Sequence, residues 1–299
     1  MSEVSVSLVG VFEDPELPKR PGPLLATDIK VNGQPLDPGH MGRIIKPREL
    51  VDIVEITPLN RSETILYNQL LANAWNNIRD VAVHKVLKAS LRGSHDSNDR
   101  LEEAFDTLMG AWAKIRARDP ISGTWSTFRV HLLGTNKEEE RKDGYFYYTF
   151  PADLLAVITQ SKAWATIKSH IMYSLRSKYS IRLYEMIERR IGMAKQSEEF
   201  TVDELRGMLG VPEGKLERFA DFNKYCLKPA LQEVNFLSDF VVDIGVVKRG
   251  RAVEKLFVTW LRKDPDEMRN AFDEREKSRV GRHARSRGRI DVIAHTPEH

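Results

Sequence analysis

Among 299 residues there is one cysteine, Cys226. A lone thiol excludes an internal disulfide framework and a Cys-rich zinc site, and it suits a reducing compartment. No stretch approaches the roughly 18 uninterrupted apolar residues a membrane helix needs. The opening segment, MSEVSVSLVGVFEDPELPKRPG, lacks the positive start and apolar run of a secretory signal, so the expectation is a cytoplasmic chain with no membrane partner. An excess of one charge is missing as well. With 46 Lys and Arg against 43 Asp and Glu the net charge is +3, so any nucleic-acid role has to be read from where the cations sit.

Catalytic constellations are also lacking. A phosphate-binding loop needs G-x-x-x-x-G-K-[ST] after a strand; the nearest string, Gly210 to Leu216, has the wrong spacing and no hydroxyl, and reads as a turn. The 8 histidines are scattered, and His131 has no second His two residues away, so the metal cluster of a nicking enzyme is absent. Tyr145, Tyr147 and Tyr148 read as wing and core aromatics, and Cys226 as a buried thiol on an apolar helix face. The expectation is a protein with no enzymatic activity, cofactor or metal.

What is present is a repeated order of elements. Residues 1–45 hold six prolines from Pro15 to Pro38 with little periodicity and read as an extended or disordered arm. Val51–Ile56 reads as a short strand. Asn60 and Glu63 form a capping box for a helix with Ile65, Leu66, Leu70, Leu71 and Ala74 at helical spacing. Val83–Leu91 reads as a second helix. A third, capped by Asp96 or Ser97, carries Leu101, Ala104, Phe105, Leu108, Trp112 and Ile115. Trp125–Leu133 and Tyr145–Phe150 read as a hairpin, and Pro151 as the first residue of a helix to about Gln160.

The second half follows suit: a long helical stretch from Ala163 to Ile191 bent near Ser177, and a capping box at Thr201–Glu204 opening the helix Val202–Leu209. A turn with Gly210, Pro212 and Gly214 leads to a helix from Leu216 to Leu237, which Pro229 should kink. The last hairpin joins Phe240–Val247 to Ala252–Leu261 through Lys248-Arg249-Gly250-Arg251. Three helices and a hairpin, twice, predict an α+β, mostly helical chain of two tandem winged-helix domains. The first spans residues 46–160 and the second 161–263, and a basic, disordered tail covers 264–299.

In a helix–turn–helix the second helix enters the major groove while the first crosses the backbone. With Phe219, Phe222, Cys226, Ala230 and Val234 inward, the helix Leu216–Leu237 presents Lys215, Arg218, Asn223, Lys224 and Lys228 outward. Arg and Asn suit guanine and adenine edges, and Lys suits phosphates. An ordinary solvated face would carry the same residues. The wing tip breaks the tie: Lys248, Arg249 and Arg251 stand there with no acid, placed to grip phosphates or a minor groove. The first hairpin's loop, Gly134 to Gly144, mixes Lys137, Arg141 and Lys142 with four acids, so the first domain is expected to make weaker DNA contacts, to self-associate, or both. Its candidates are Ser97, Asn98 and Arg100. The tail carries Arg275, Lys277, Arg279, Arg282, Arg285, Arg287 and Arg289, a basic arm or a solvated tail.

Three segments resemble one family. Leu175-Arg-Ser-Lys-Tyr-Ser-Ile-Arg-Leu-Tyr-Glu185 looks like the segment that opens the second winged helix of the iteron-binding initiators of plasmid replication. Phe200-Thr-Val-Asp-Glu-Leu-Arg-Gly-Met-Leu-Gly210 is similar to their next helix, and the run from Phe222 through Cys226-Leu-Lys-Pro-Ala-Leu-Gln-Glu-Val-Asn235 to the helix after it. The likeness covers roughly residues 60–262. It implies monomers that bind double-stranded DNA at repeated origin sequences and help open the duplex for host replication proteins such as helicase or initiator. It also implies homodimers, paired through the first domain, that act on their own promoter. The rival expectation is a tandem winged-helix transcriptional repressor without origin function; a nicking relaxase or primase is a third, opposed by the missing metal cluster.

Overall fold

The computed structural model describes residues 42–287 apart from 76–77, 79–81, 92–97, 120–121 and 142–143. It also describes the short antiparallel pair β1 (Lys30–Val31) and β2 (Gln34–Pro35). The rest of the expected N-terminal arm before Gly42, and the tail from 288, lie outside the described residues.

After β3 (Arg43–Pro47), the segment expected as a strand at Val51–Ile56 divides into a short helix α1 (Arg48–Val51) and a two-residue strand β4 (Glu55–Ile56). Helix α2 (Arg61–Ala74) opens on the expected capping box: the Asn60 side chain accepts from the Glu63 N–H at 3.0 Å, and the Asn60 N–H donates to the Glu63 carboxylate at 2.5 Å. Such a cap stabilises by about 1 kcal/mol. Leu66, Leu70, Leu71 and Ala74 bury its inner stripe in the first core, each leucine contributing about 2 kcal/mol.

The expected helix Val83–Leu91 is instead strand β5 (His84–Leu87) followed by a single turn α3 (Lys88–Leu91). His84 and Val86 point inward while Lys85 and Leu87 point out, a period of two that only pairing with β9 (Tyr145–Tyr148) makes stable. Helix α4 (Asn98–Gly110) stops before Trp112, so Trp112 and Ile115 leave the expected helical stripe for strand β6 (Trp112–Arg118). The expected hairpin of Trp125–Leu133 with Tyr145–Phe150 does not form. Strand β7 (Trp125–His131) folds back on β6, and β9 pairs with β5 and β8 (Asn136–Glu138). Pro151 is the N-cap of α5 (Ala152–Gln160) and lies one residue outside the helix.

The long helix expected over 163–191 is three elements: β10 (Trp164–Lys168), α6 (Ser169–Ser174) and α7 (Lys178–Arg190), the last capped by Ser177, where the bend was expected. Strand β11 (Ser197–Phe200), which joins its wing sheet as β4 joins β6–β7, and helix α8 (Val202–Met208) follow. A continuous rod comes next: α9 (Phe219–Phe222), a π turn at Asn223–Leu227 and α10 (Lys228–Leu237). The π turn answers Pro229. Its ring would press on the carbonyl four residues back, and the wider turn, with the Lys228 N–H donating to the Asn223 carbonyl, relieves that conflict without breaking the helix. The wing is β12 (Phe240–Arg249) and β13 (Ala252–Arg262), with β11 on the far side of β13.

The two units are joined by more than a linker. Strand β3 pairs antiparallel with β10 from Arg43↔Lys168 to Pro47↔Trp164, so the chain's early strand sits where the second unit begins. Ile45 enters the first core and Ile44 the second. Lys46, also buried, donates to the Asn68 amide oxygen at 3.0 Å and to the Glu185 carboxylate at 2.8 Å. Arg190 ties Asp52 at 2.7 Å and Glu198 at 2.6 Å. A β-carbon on Gly207 of α8 would lie 2.0 Å from the Val54 carbonyl oxygen, so only glycine lets α8 nest against the first unit.

Residues 264–287 of the tail expected to be disordered are ordered. Helix α11 (Pro265–Glu276) has a capping box at Asp264 and Glu267, and α12 (Arg282–Arg285) follows. Its arginines were expected to be free; Arg275 instead donates to the Leu237 carbonyl at 2.5 Å, and Arg282, buried, to the carbonyls of Ser174, Glu274, Arg275 and Lys277. Helix-end carbonyls that would otherwise lack donors hold the arginines down.

Candidate nucleic-acid interface

The start of the α9–α10 rod is fixed by an unusual turn. Gly210 and Gly214 take φ of 68° and 71°, and Leu216 takes 51°, a strained conformation for a branched side chain. Arg206 on α8 holds it. Its guanidinium donates to the Leu216 carbonyl at 2.6 Å and to the Glu217 carbonyl, pairs with Asp203 at 3.1 Å, and lies 5.3 Å from the centre of the Phe222 ring. Arg206 positions the helix that follows and faces the protein. It lies within Phe200–Gly210, but its role depends on carbonyls ten and eleven residues away.

Beyond that turn, Lys215, Arg218, Lys224 and Lys228 are exposed and Asn223 is half-buried, while Phe222, Cys226, Ala230 and Val234 are fully buried. Phe219, expected inward, is half-buried. The outward face has a member that sequence reasoning missed. Tyr225 is 55% exposed, with the Lys224 ammonium 4.7 Å from its ring centre and 3.0 Å from its hydroxyl. Its place directly before inward Cys226 was the available signal. Burial pushes the Cys226 thiol well above its ordinary pKa, which fits a packing role.

Lys248, Arg249 and Arg251 lie exposed at the wing tip. Arg249↔Ala252 is the last pair, which leaves Gly250-Arg251 as a two-residue loop, and Gly250 supplies the φ of 63° that such a hairpin needs. The nearest acid is Glu254, 4.0 Å from Arg249, whose side chain is 85% exposed.

In the first unit, Ser97 lies outside the described residues. Asn98 and Arg100 fall in the first turn of α4. The wing is the β6–β7 hairpin, and the mixed-charge loop 134–144 is not its tip. That loop folds back on its own domain, where Lys88 pairs with Glu138 at 2.9 Å and the Tyr147 hydroxyl donates to Glu139 at 2.9 Å. The outward face of β6–β7 carries Lys114, Arg116, Arg118 and Arg129. Trp125, 48% exposed, stands beside Arg116, Arg118 and Arg48, whose guanidinium carbons lie 5.3, 5.4 and 5.8 Å from its ring centre. The alternation in Trp112-Ala-Lys-Ile-Arg-Ala-Arg118 was the signal for this face, and a helical stripe absorbed it.

Residues 46–188 match the family model described as Initiator Replication protein, WH1, and residues 201–260 match Initiator Rep protein, WH2. The chain belongs to the initiator Rep protein family. The chain therefore carries the WH1 and WH2 winged helices in the order expected, and the WH1 match runs past residue 160 through β10, α6 and most of α7, whose buried apolar residues pack in the second core. Among solved structures, the initiator is similar to the Pi initiator protein in complex with iteron DNA, at 17% identity and a TM-score of 0.53. That match covers 75% of this chain and 99% of the other. It also matches domains 2 and 3 of RctB at 11% identity and a TM-score of 0.41, covering 78% of this chain and 89% of that one. No curated protein matches in sequence. Helices α11 and α12 lie beyond both matched segments, and among the described residues no helix is long and apolar enough to cross a membrane.

Proposed function

We propose that this initiator starts plasmid replication by binding directly repeated origin DNA, with the rod α9–α10 in a major groove and the β12–β13 tip on the adjacent backbone. The observation that carries this is the set of exposed cations on two successive elements. Lys215, Arg218, Lys224 and Lys228 stand exposed along a helix start that Arg206 locks in place, and Lys248, Arg249 and Arg251 stand on the hairpin that follows. Arg218 and Asn223 are the side chains suited to base edges, and the lysines and wing arginines suit phosphates. The β6–β7 face of WH1 adds a second set of phosphate contacts. The Pi initiator, whose fold this chain shares, was solved with iteron DNA bound.

The same reading makes the protein a non-catalytic DNA binder of the bacterial cytoplasm, associated with its plasmid. Copies pair through WH1, repress their own promoter and engage host replication proteins. The test is a fluorescence-anisotropy titration of the full chain on DNA flanking its own gene, with a shuffled duplex as control. Preference for a directly repeated stretch by at least ~10³-fold is expected. Arg218→Ala or Asn223→Ala should cost about 1–3 kcal/mol and relax that preference. Equal, salt-sensitive binding to both duplexes would sink the reading.

A further inference from the structure

Helix α6 ends at Ser174, and its last carbonyls lack intrahelical donors. Arginines from two distant segments converge on them. Arg61, at the first turn of α2, donates to the Leu175 carbonyl at 2.6 Å and to the Tyr173 carbonyl at 2.8 Å. Arg279, just past α11, donates to the same Tyr173 carbonyl at 3.2 Å, and buried Arg282 to that of Ser174 at 3.2 Å. The next residue along, Arg176, is exposed, and its side chain has no hydrogen bond or ion pair among the described residues.

The negative charge at this point does not balance four guanidinium groups. A helix end supplies about half a charge. The carboxylate of Glu233 already accepts from the N–H groups of Arg176 at 2.8 Å and Ser177 at 3.2 Å. Glu274 is held by Arg285 at 2.7 Å and Lys277 at 3.4 Å. Burial, Arg279 and Arg176 together hold the Arg61 guanidinium below its ordinary pKa, against the pull of Glu233. Capping accounts for Arg61 and Arg282, but Arg176 caps nothing. The cluster lies at the seam of WH1 and WH2, and Glu233 on α10 ties it to the rod read as the major-groove helix.

We propose that Arg176 and Arg279, with the positive charge of Arg61 behind them, form a site for a DNA backbone phosphate at the seam between the two winged helices, completed by the C-terminal extension beyond the family's matched segments. The site rests on the DNA-binding reading above, and its ligand is the same duplex as it passes from one unit to the other. Two exposed cations in it, Arg176 and Arg279, can be removed at little structural cost.

The experiment compares full-length wild type, Arg176→Gln, the double variant Arg176→Gln with Arg279→Gln, and the charge-preserving pair Arg176→Lys with Arg279→Lys. Anisotropy titrations are run over several salt concentrations on both repeated and shuffled duplexes. The double Gln variant should bind both duplexes about three- to tenfold more weakly, with a salt slope shallower by about 2. Its ratio of specific to shuffled affinity should be unchanged, and the Lys pair should keep most of the affinity. Arg176→Gln should reproduce about half of the slope change with an unaltered thermal midpoint, which separates the site from misfolding. Wild-type affinity and slope in the double Gln variant would overturn the site, as would a loss confined to the repeated duplex. Because the slope is also read on shuffled DNA, this result stands apart from whether the wild type prefers the repeats.

Discussion

The wing of WH1, β6–β7, carries its cations along one strand face, at Lys114, Arg116, Arg118 and Arg129, and has none at the tip between Asp119 and Thr124. The wing of WH2, β12–β13, carries them at the tip, at Lys248, Arg249 and Arg251, on a turn opened by Gly250. Cations two residues apart on a strand are spaced by about 6.6–6.8 Å and fixed by the sheet. At the WH2 tip Lys248 and Arg249 end a strand at its last two pairs and Arg251 stands on the two-residue loop, where the sheet holds them on one side only. The same fold thus offers a rigid comb in one unit and an adaptable grip in the other, and the difference comes from where the sequence puts arginine relative to the turn.

The strongest way to break the comparison is to uncouple the units. Lys46→Ala would leave the Glu185 carboxylate buried with Asn68 and with Arg182, 3.6 Å away. A broken buried pair costs about 3–5 kcal/mol, and the remaining Arg182 puts this one near the lower value. Urea denaturation should show that loss, and replacing both partners, Lys46→Met with Glu185→Leu, should restore much of it. A loss below about 1 kcal/mol would mean that the pair does not hold the seam.

A second test asks which unit yields first to acid. Burial, followed by Arg275, pushes the His170 imidazole down to about 4, against about 6.5 in an unfolded chain. Between those values the unfolded state binds more protons, so stability present above pH 6.5 is lost as pH falls toward 4, by up to about 3 kcal/mol. In WH1 burial also lowers His84. Urea midpoints at pH 7 and pH 5 should differ less in His170→Gln than in wild type, and His84→Gln should recover less of the difference. The opposite ranking would place the acid-sensitive element on β5 of the first core and not on α6 of the second.

The smallest expected effect contrasts the wings themselves. Arg249→Ala with Arg251→Ala should weaken binding to every duplex about tenfold and flatten the salt slope by about 2, whereas Arg116→Ala with Arg118→Ala should cost about threefold. Equal losses in the two pairs would remove the distinction between comb and grip.

WH2 was far more legible than WH1, for local reasons. The Thr201 and Glu204 cap, the inward run from Phe222 to Val234 and the Lys248–Arg251 turn are all read within a few neighbouring residues. In WH1 the short apolar runs at 84–87 and 112–118 fit a helix or a strand equally well by composition, and the choice rests on partners far away in sequence. Arg206 and the Trp125 cluster were missed for the same reason, since each is defined by groups that gather around it, whereas Tyr225 was missed although its place before inward Cys226 was a local signal.

The family resemblance carried the tandem winged-helix order, and the sequence by itself determined the capped helices, the basic face of the α9–α10 rod and the basic tip of the last hairpin. These follow from periodicity, caps and turn residues that act over one or two turns of chain. Tertiary structure alone decided which strands pair, where β3 sits between the two cores, and how arginines of the C-terminal extension spend their hydrogen bonds. Strand pairing and carbonyl capping are set by groups whose partners lie tens to more than a hundred residues away, as with Lys46 and Glu185 or Arg282 and Ser174, and no local pattern encodes that distance.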